Sequence, residues 1–140
     1  MAWTIAEKLV QPVVTIDESK SALEAAILMT EQFIGSVVVT SATKVTGILT
    51  ERDLIMRVVG KQIDPEKVKI KDVMTKDLIR VGPKDSSSHC LNLMKEHRCR
   101  HLLVFDGGEF LGIVSLRDMV ALLVDEKEEL IEHLQRYIGT

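Results

Sequence analysis

The chain has 140 residues, 46% of them apolar and 28% charged, with a net charge of −3. This is the length of one compact domain of ordinary soluble composition, long enough to bury a core. No basic block of five or six residues is present, so a broad cationic surface for nucleic acid is not expected; no apolar run reaches the ~18–20 residues of a membrane span; and two cysteines, Cys90 and Cys99, are too few for a disulfide framework. The N-terminal residues lack the charged start and continuous apolar stretch of a signal peptide, and a reducing cytoplasm is the expected setting.

In chain order, "VVTI" (13–16) reads as a short strand. "SALEAAILMTEQF" follows with Leu23, Ala26, Ile27, Met29 and Phe33 near helical spacing, and Ser21 with Glu24 suits a capping box. "SVVVT" is a continuous apolar run of the buried-strand kind, "SATK" a turn, and "VTGILT" the returning strand. "ERDLIMRVV" closes the series as a helix, and "GKQIDPEKVK" (60–69), punctuated by Gly60 and Pro65, is a linker. The series then starts again. "LIRV" (78–81) is a strand and "SSSHCLNLMKEHR" a helix capped by Ser86. "HLLVF" and "FLGIVS" are strands joined by "DGGE", whose Asp106, Gly107 and Gly108 are strong hairpin residues, and "LRDMVALLV" is the closing helix. The tail "DEKEELIEHLQRYIGT" carries Leu130, Ile131, Leu134, Tyr137 and Ile138 on one face and extends the helix begun near Leu116. That stripe packs either on its own domain or on a second copy.

Displaced by 65 residues, the chain matches itself without a gap: Ser21 meets Ser86, Met29 meets Met94, and Gly47, Ile48, Arg52 and Asp53 meet Gly112, Ile113, Arg117 and Asp118. Residues 5–59 and 70–124 are thus two copies of a strand–helix–strand–strand–helix unit, with 60–69 as linker and 125–140 as a C-terminal helical extension. One copy of this size buries too little surface to be comfortable alone.

The repeat, and above all its endings "GILTERD" (47–53) and "GIVSLRD" (112–118), resembles a pair of CBS domains, named after cystathionine β-synthase. "IKDVMTKDLIRVGPKDS" (70–86) also resembles the opening of a CBS unit. The resemblance implies an α+β fold, with two β-α-β-β-α units packed through their sheets in one pseudo-two-fold globule. It implies a regulatory ligand, an adenine nucleotide such as AMP, ADP or ATP, bound in a cleft to which both copies contribute. In one site Thr50 would lie near phosphate and Asp53 would hold the ribose hydroxyls, with Ile48, Met74, Leu78, Arg100 and His101 around them. In the other, Ser115 and Asp118 would take these roles, with Ile113, the stretch Val10 to Val14, Gly35 and Ser36. A carboxylate suits a cis-diol, and a strand-to-helix turn suits an anion, because helix-start N–H groups are unpaired there. Arg100 and His101 stand where the other copy has Gly35 and Ser36, so the Asp53 site is expected to bind phosphate more tightly. The plainer alternative makes Thr50 and Ser115 helix caps with Asp53 and Asp118 closing capping boxes, and makes Arg100 and His101 a solvated strand entrance; caps and ligand roles are compatible. Arg52 and Arg117 are further phosphate candidates.

Other chemistry finds little support. His89, Cys90, His97, Cys99 and His101 cluster in sequence but match no zinc spacing, and Cys90 and Cys99 align with Ala25 and Ile34 as core residues. No phosphate loop, dinucleotide fingerprint or nucleophile elbow is present, so no enzyme, cofactor or metal is expected. The expected partners are a second copy, by the resemblance, and an unidentified protein that reads the ligand state in trans. The remaining alternatives are a ligand-free dimerisation module, or a binder of S-adenosylmethionine or NAD.

Overall fold

A computed structural model describes residues 3–9 and 13–139. A 3₁₀ turn at Ile5–Lys8 opens the chain. Then follow β1 (Thr15–Asp17), α1 (Ala22–Gln32), β2 (Ser36–Ser41), β3 (Lys44–Thr50) and α2 (Glu51–Arg57). A second series runs through α3 (Ile70–Val73), β4 (Arg80–Val81), α4 (Ser87–His97), β5 (His101–Asp106), β6 (Glu109–Ser115) and α5 (Leu116–Ile138). The fold is α+β, with two three-stranded sheets of order β1-β2-β3 and β4-β5-β6. In each, the first pair is parallel and the second antiparallel, and a register shift falls at the matched steps Val39/Thr40 and Val104/Phe105. The opening strands are shorter than the apolar runs suggest: Val13 and Val14 precede β1, and Leu78 and Ile79 precede β4. The tail does extend the last helix, in one piece to Ile138. No described helix is long and apolar enough to cross a membrane.

The chain divides into two compact units, residues 13–78 and the N-terminal segment with 79–140. In the 13–78 unit α1 lays Ala22, Ala25 and Met29 on Val37, Val39 and Leu49 of the sheet. Its Ser21–Glu24 capping box is formed, and Phe33 ends the helix in the left-handed conformation. In the 79–140 unit α4 and α5 lay Cys90, Met94, Met119 and Leu122 on Leu102, Val104 and Val114. The matched helix end is Arg98, also left-handed.

These units are not the repeats. Each repeat's opening turn sits in the core built by the other copy. Ile5 packs with Val81 and Leu102, and its N–H donates to Asp85 O at 3.0 Å while that of Ala6 donates to Pro83 O at 3.2 Å. Ile70 packs with Ala22 and Leu49, its N–H donating to Lys20 O at 2.9 Å and that of Lys71 to Glu18 O at 3.1 Å. The acceptors Lys20 and Asp85, and Glu18 and Pro83, are equivalent positions of the repeat, so the exchange is symmetrical.

Candidate functional site

Both strand-to-helix turns are built alike. Thr50 ends β3 and caps α2: its hydroxyl accepts from Asp53 N–H at 3.1 Å, and the Asp53 carboxylate accepts from Thr50 N–H at 3.0 Å. Ser115 and Asp118 repeat this at 3.1 and 2.9 Å at the start of α5. The capping reading is therefore realised at both motifs, and each acidic side chain is aimed at its own helix start by a reciprocal bond.

Beyond the caps the two aspartates differ. Asp53 is only 7% exposed. Its carboxylate also accepts from the Thr75 hydroxyl, at 3.0 Å to one oxygen and 3.2 Å to the other, and Arg57 Nε lies 3.9 Å away. Arg57 in turn donates to the carbonyls of Val73 and Met74 at 3.2 and 2.8 Å, covering the end of α3. Thr75 is held by paired backbone bonds with Ile48, at 3.0 and 2.9 Å. Gly47 permits this approach, because a Cβ there would stand 2.6 Å from Met74 Sδ and 2.8 Å from Thr75 O. Asp118 is half-buried, and the position that matches Thr75 in the other copy is Val10, whose side chain has no hydroxyl. The position matching Arg57 is Leu122, a core residue.

The remaining predicted residues fall into two groups. Gly35 and Ser36 lie beside Thr50: Glu51 N–H donates to Gly35 O at 3.0 Å, and Ser36 pairs with Thr50 across the sheet. Met74 is buried in the core of the same unit, Val14 packs against that core, and Leu78 is half-buried. Residues 10–12 of the predicted Val10 to Val14 stretch lie outside the described residues. A cavity of about 460 Å³ opens here, lined by Met29, Phe33, Ile34, Gly35, Glu51 and Leu54 among others. Arg100 and His101 lie beside Ser115: Leu116 N–H donates to Arg100 O at 2.7 Å, and His101 pairs with Ser115. Ile113 is one turn of the pleat away, paired with Leu103. A cavity of about 500 Å³ opens at this second place, lined by Arg100, His101, Ser115, Leu116, Arg117 and Val120.

The two cavities occupy related stations but carry opposite chemistry. Around the first, the ionisable side chain is Glu51; around the second, they are Arg100, His101 and Arg117. The position of Glu51 is taken in the other copy by Leu116. Guanidinium groups at a helix start favour a phosphate, whereas a carboxylate at the same place repels one. The structure thus gathers Arg100 and His101 with Ser115, and adds Arg117 to them. Sequence reading missed Thr75, Arg57 and Glu51. The repeat alignment holds the signal for all three, as Thr75 against Val10, Arg57 against Leu122 and Glu51 against Leu116.

Cys90 lies in the core, and burial, with Asp85 nearby, pushes its thiol up to about 11; burial also raises that of Cys99. Among the described residues no group of three or more His, Cys, Asp or Glu is arranged to hold a metal ion.

Comparison with known proteins agrees with this architecture. The model of the CBS domain matches residues 6–60 and 70–125. An uncharacterised protein of Methanopyrus kandleri is 31% identical over 94% of this chain and 71% of its own length. Other relatives are longer, and the chain spans 58% of one and 32% of another. A structure of a protein with CBS domains from Burkholderia ambifaria superposes with a TM-score of 0.82, at 33% identity, over 87% of this chain and 94% of that one. A CBS domain protein of Pyrobaculum aerophilum, complexed with AMP, superposes with a TM-score of 0.76, at 26% identity, over 87% of this chain and 96% of that one. With both repeats matched and the fold shared, the chain belongs to the CBS domain family as a tandem pair.

Proposed function

We propose that the chain is a regulatory module without catalytic activity of its own. It binds an adenine nucleotide (AMP, ADP or ATP), works as a homodimer, and passes the ligand state to a protein partner in trans. The observation that carries this reading is the cationic cavity formed by Arg100, His101 and Arg117 at the start of α5. A phosphate there meets two guanidinium groups, an imidazole that a phosphate can charge, and the Ser115 hydroxyl. Asp118, in the first turn of the same helix, is the carboxylate that accepts from the ribose hydroxyls. The AMP-bound relative supports the ligand class.

The Asp53 motif then has a different part. Its carboxylate is engaged by Thr75, Thr50 and Arg57, and the cavity beside it presents Glu51. We assign Thr50 and Asp53, with Ile48 and Met74, to holding the 70–78 segment in the first unit. We place the tighter phosphate site at Ser115 and Asp118, a reading that the cavity lined by Arg100, His101 and Ser115 supports.

Thermal denaturation against AMP, ADP, ATP, adenosine, S-adenosylmethionine and NAD tests the class of ligand. A ligand present at one hundred times its Kd stabilises the native state by about 2.7 kcal/mol. The phosphorylated adenosines are expected to raise Tm by several degrees and adenosine by clearly less. A panel in which none shifts Tm contradicts the reading and favours a module without a ligand.

A further inference from the structure

The last helix carries a surface whose occupant can be argued. The first half of α5 buries Met119 and Leu122 in the core of its unit. Further along, three polar contacts tie one side of the helix to the same unit. Lys8 Nζ lies 3.2 Å from Asp125, the Ser87 hydroxyl donates to Glu126 at 3.1 Å, and the Trp3 indole N–H donates to Glu129. At 3.6 residues per turn, positions 125, 126 and 129 share one face. The opposite face presents Val120, Val124, Lys127, Ile131, Leu134 and Ile138. These are spaced alternately by four and three residues, the heptad rhythm of a helix-pairing seam.

This seam does not pack on its own domain. Its apolar members range from 46% exposed at Val120 to 79% at Ile138, and every residue from Leu130 to Gly139 is exposed. So large and so exposed an apolar stripe at the end of a helix is the mark of an interface, since three turns of helix gain little stability alone.

We propose that the outer part of this face, from Lys127 to Ile138, is the contact with a second copy of the chain, the two α5 helices lying antiparallel about a two-fold axis. The proposal rests on the homodimer reading above and names its surface. Charge sets the direction. Residues 125–132 hold five acidic side chains and one lysine, whereas 133–138 hold Arg136 and His133 and no acid. Paired helices stand about 8–10 Å apart, no further than a Debye length, so a parallel pair lays acid on acid. An antiparallel pair sets the acidic stretch of each helix against the basic stretch of the other. Lys127 points the same way. In a parallel pair it meets its own copy inside the seam. With Ile131 opposite Leu134, it lies opposite Ile138 at the seam's end, where its ammonium reaches water. A single polar seam residue is a known means of fixing register.

Light scattering and sedimentation of the full chain and of Leu134→Asp test the surface. The native chain is expected to be a dimer, and Leu134→Asp to weaken dimerisation at least tenfold with an unchanged far-ultraviolet spectrum. Oxidising a mixture of Ile131→Cys and Leu134→Cys chains tests the direction, with linked peptides mapped by mass spectrometry; 131–134′ links are expected to dominate. A Leu134→Asp dimer as tight as the native one overturns the surface while leaving the homodimer standing. A monomeric native chain overturns both. Dominant 131–131′ and 134–134′ links overturn the antiparallel order.

Discussion

At the residue scale the two motif aspartates, which close the same Ser/Thr-x-x-Asp pattern, are separated by their neighbours. Asp53 sits 7% exposed among donors, and the Thr75 hydroxyl bridges both of its oxygens. Taking that hydroxyl away leaves a buried carboxylate one donor short. Thr75→Val is therefore expected to cost about 1–3 kcal/mol of stability, read from urea unfolding; a change within error would mean that the bond contributes nothing. The matched residue of the repeat, Val10, carries no hydroxyl to remove. The motif itself was legible, because Ser/Thr followed three residues on by Asp at the end of an apolar run has few structural meanings. The division of labour was not. It depends on Thr75 and Arg57 reaching Asp53 from 22 residues and one helical turn away, and only the first of these requires a tertiary approach that Gly47 makes possible.

At the scale of elements, the hairpins show where local chemistry spoke clearly. Asp106–Glu109 turns through Gly107 at φ 63°, as its residues announce. The β2–β3 turn adopts positive φ at Ala42 (48°) and Thr43 (74°), neither of which favours it. Strand pairing on both sides imposes the turn on residues that would not choose it. Thr43→Gly is accordingly expected to raise stability, by up to about 1 kcal/mol, measured as a shift in the denaturation midpoint at unchanged slope. A loss of stability would show that the Thr43 side chain makes a contact worth more than the strain. Helices and central strands were legible because each buries one face. The opening strands were not, since only three residues of β1 and two of β4 pair with a neighbour.

At the scale of the whole molecule, a 65-residue repeat has become two units that each contain a piece of the other copy, with Ile5 and Ile70 exchanged. Nothing in an apolar pattern says which core an apolar residue joins, so the exchange was invisible in sequence although the repeat was plain. The same duplication left the copies free to diverge, one towards Glu51 and a latched Asp53, the other towards Arg100, His101 and Arg117. Under the proposed function only the second of these takes a nucleotide. Calorimetric titration of AMP into Asp53→Asn and Asp118→Asn, below the melting range of both, tests it most directly. A loss of affinity of about tenfold or more is expected for Asp118→Asn, the scale of a charge-assisted bond. For Asp53→Asn the expected change is no more than about twofold, within the spread of a residue that touches no ligand. Equal losses, or the reverse order, would contradict it.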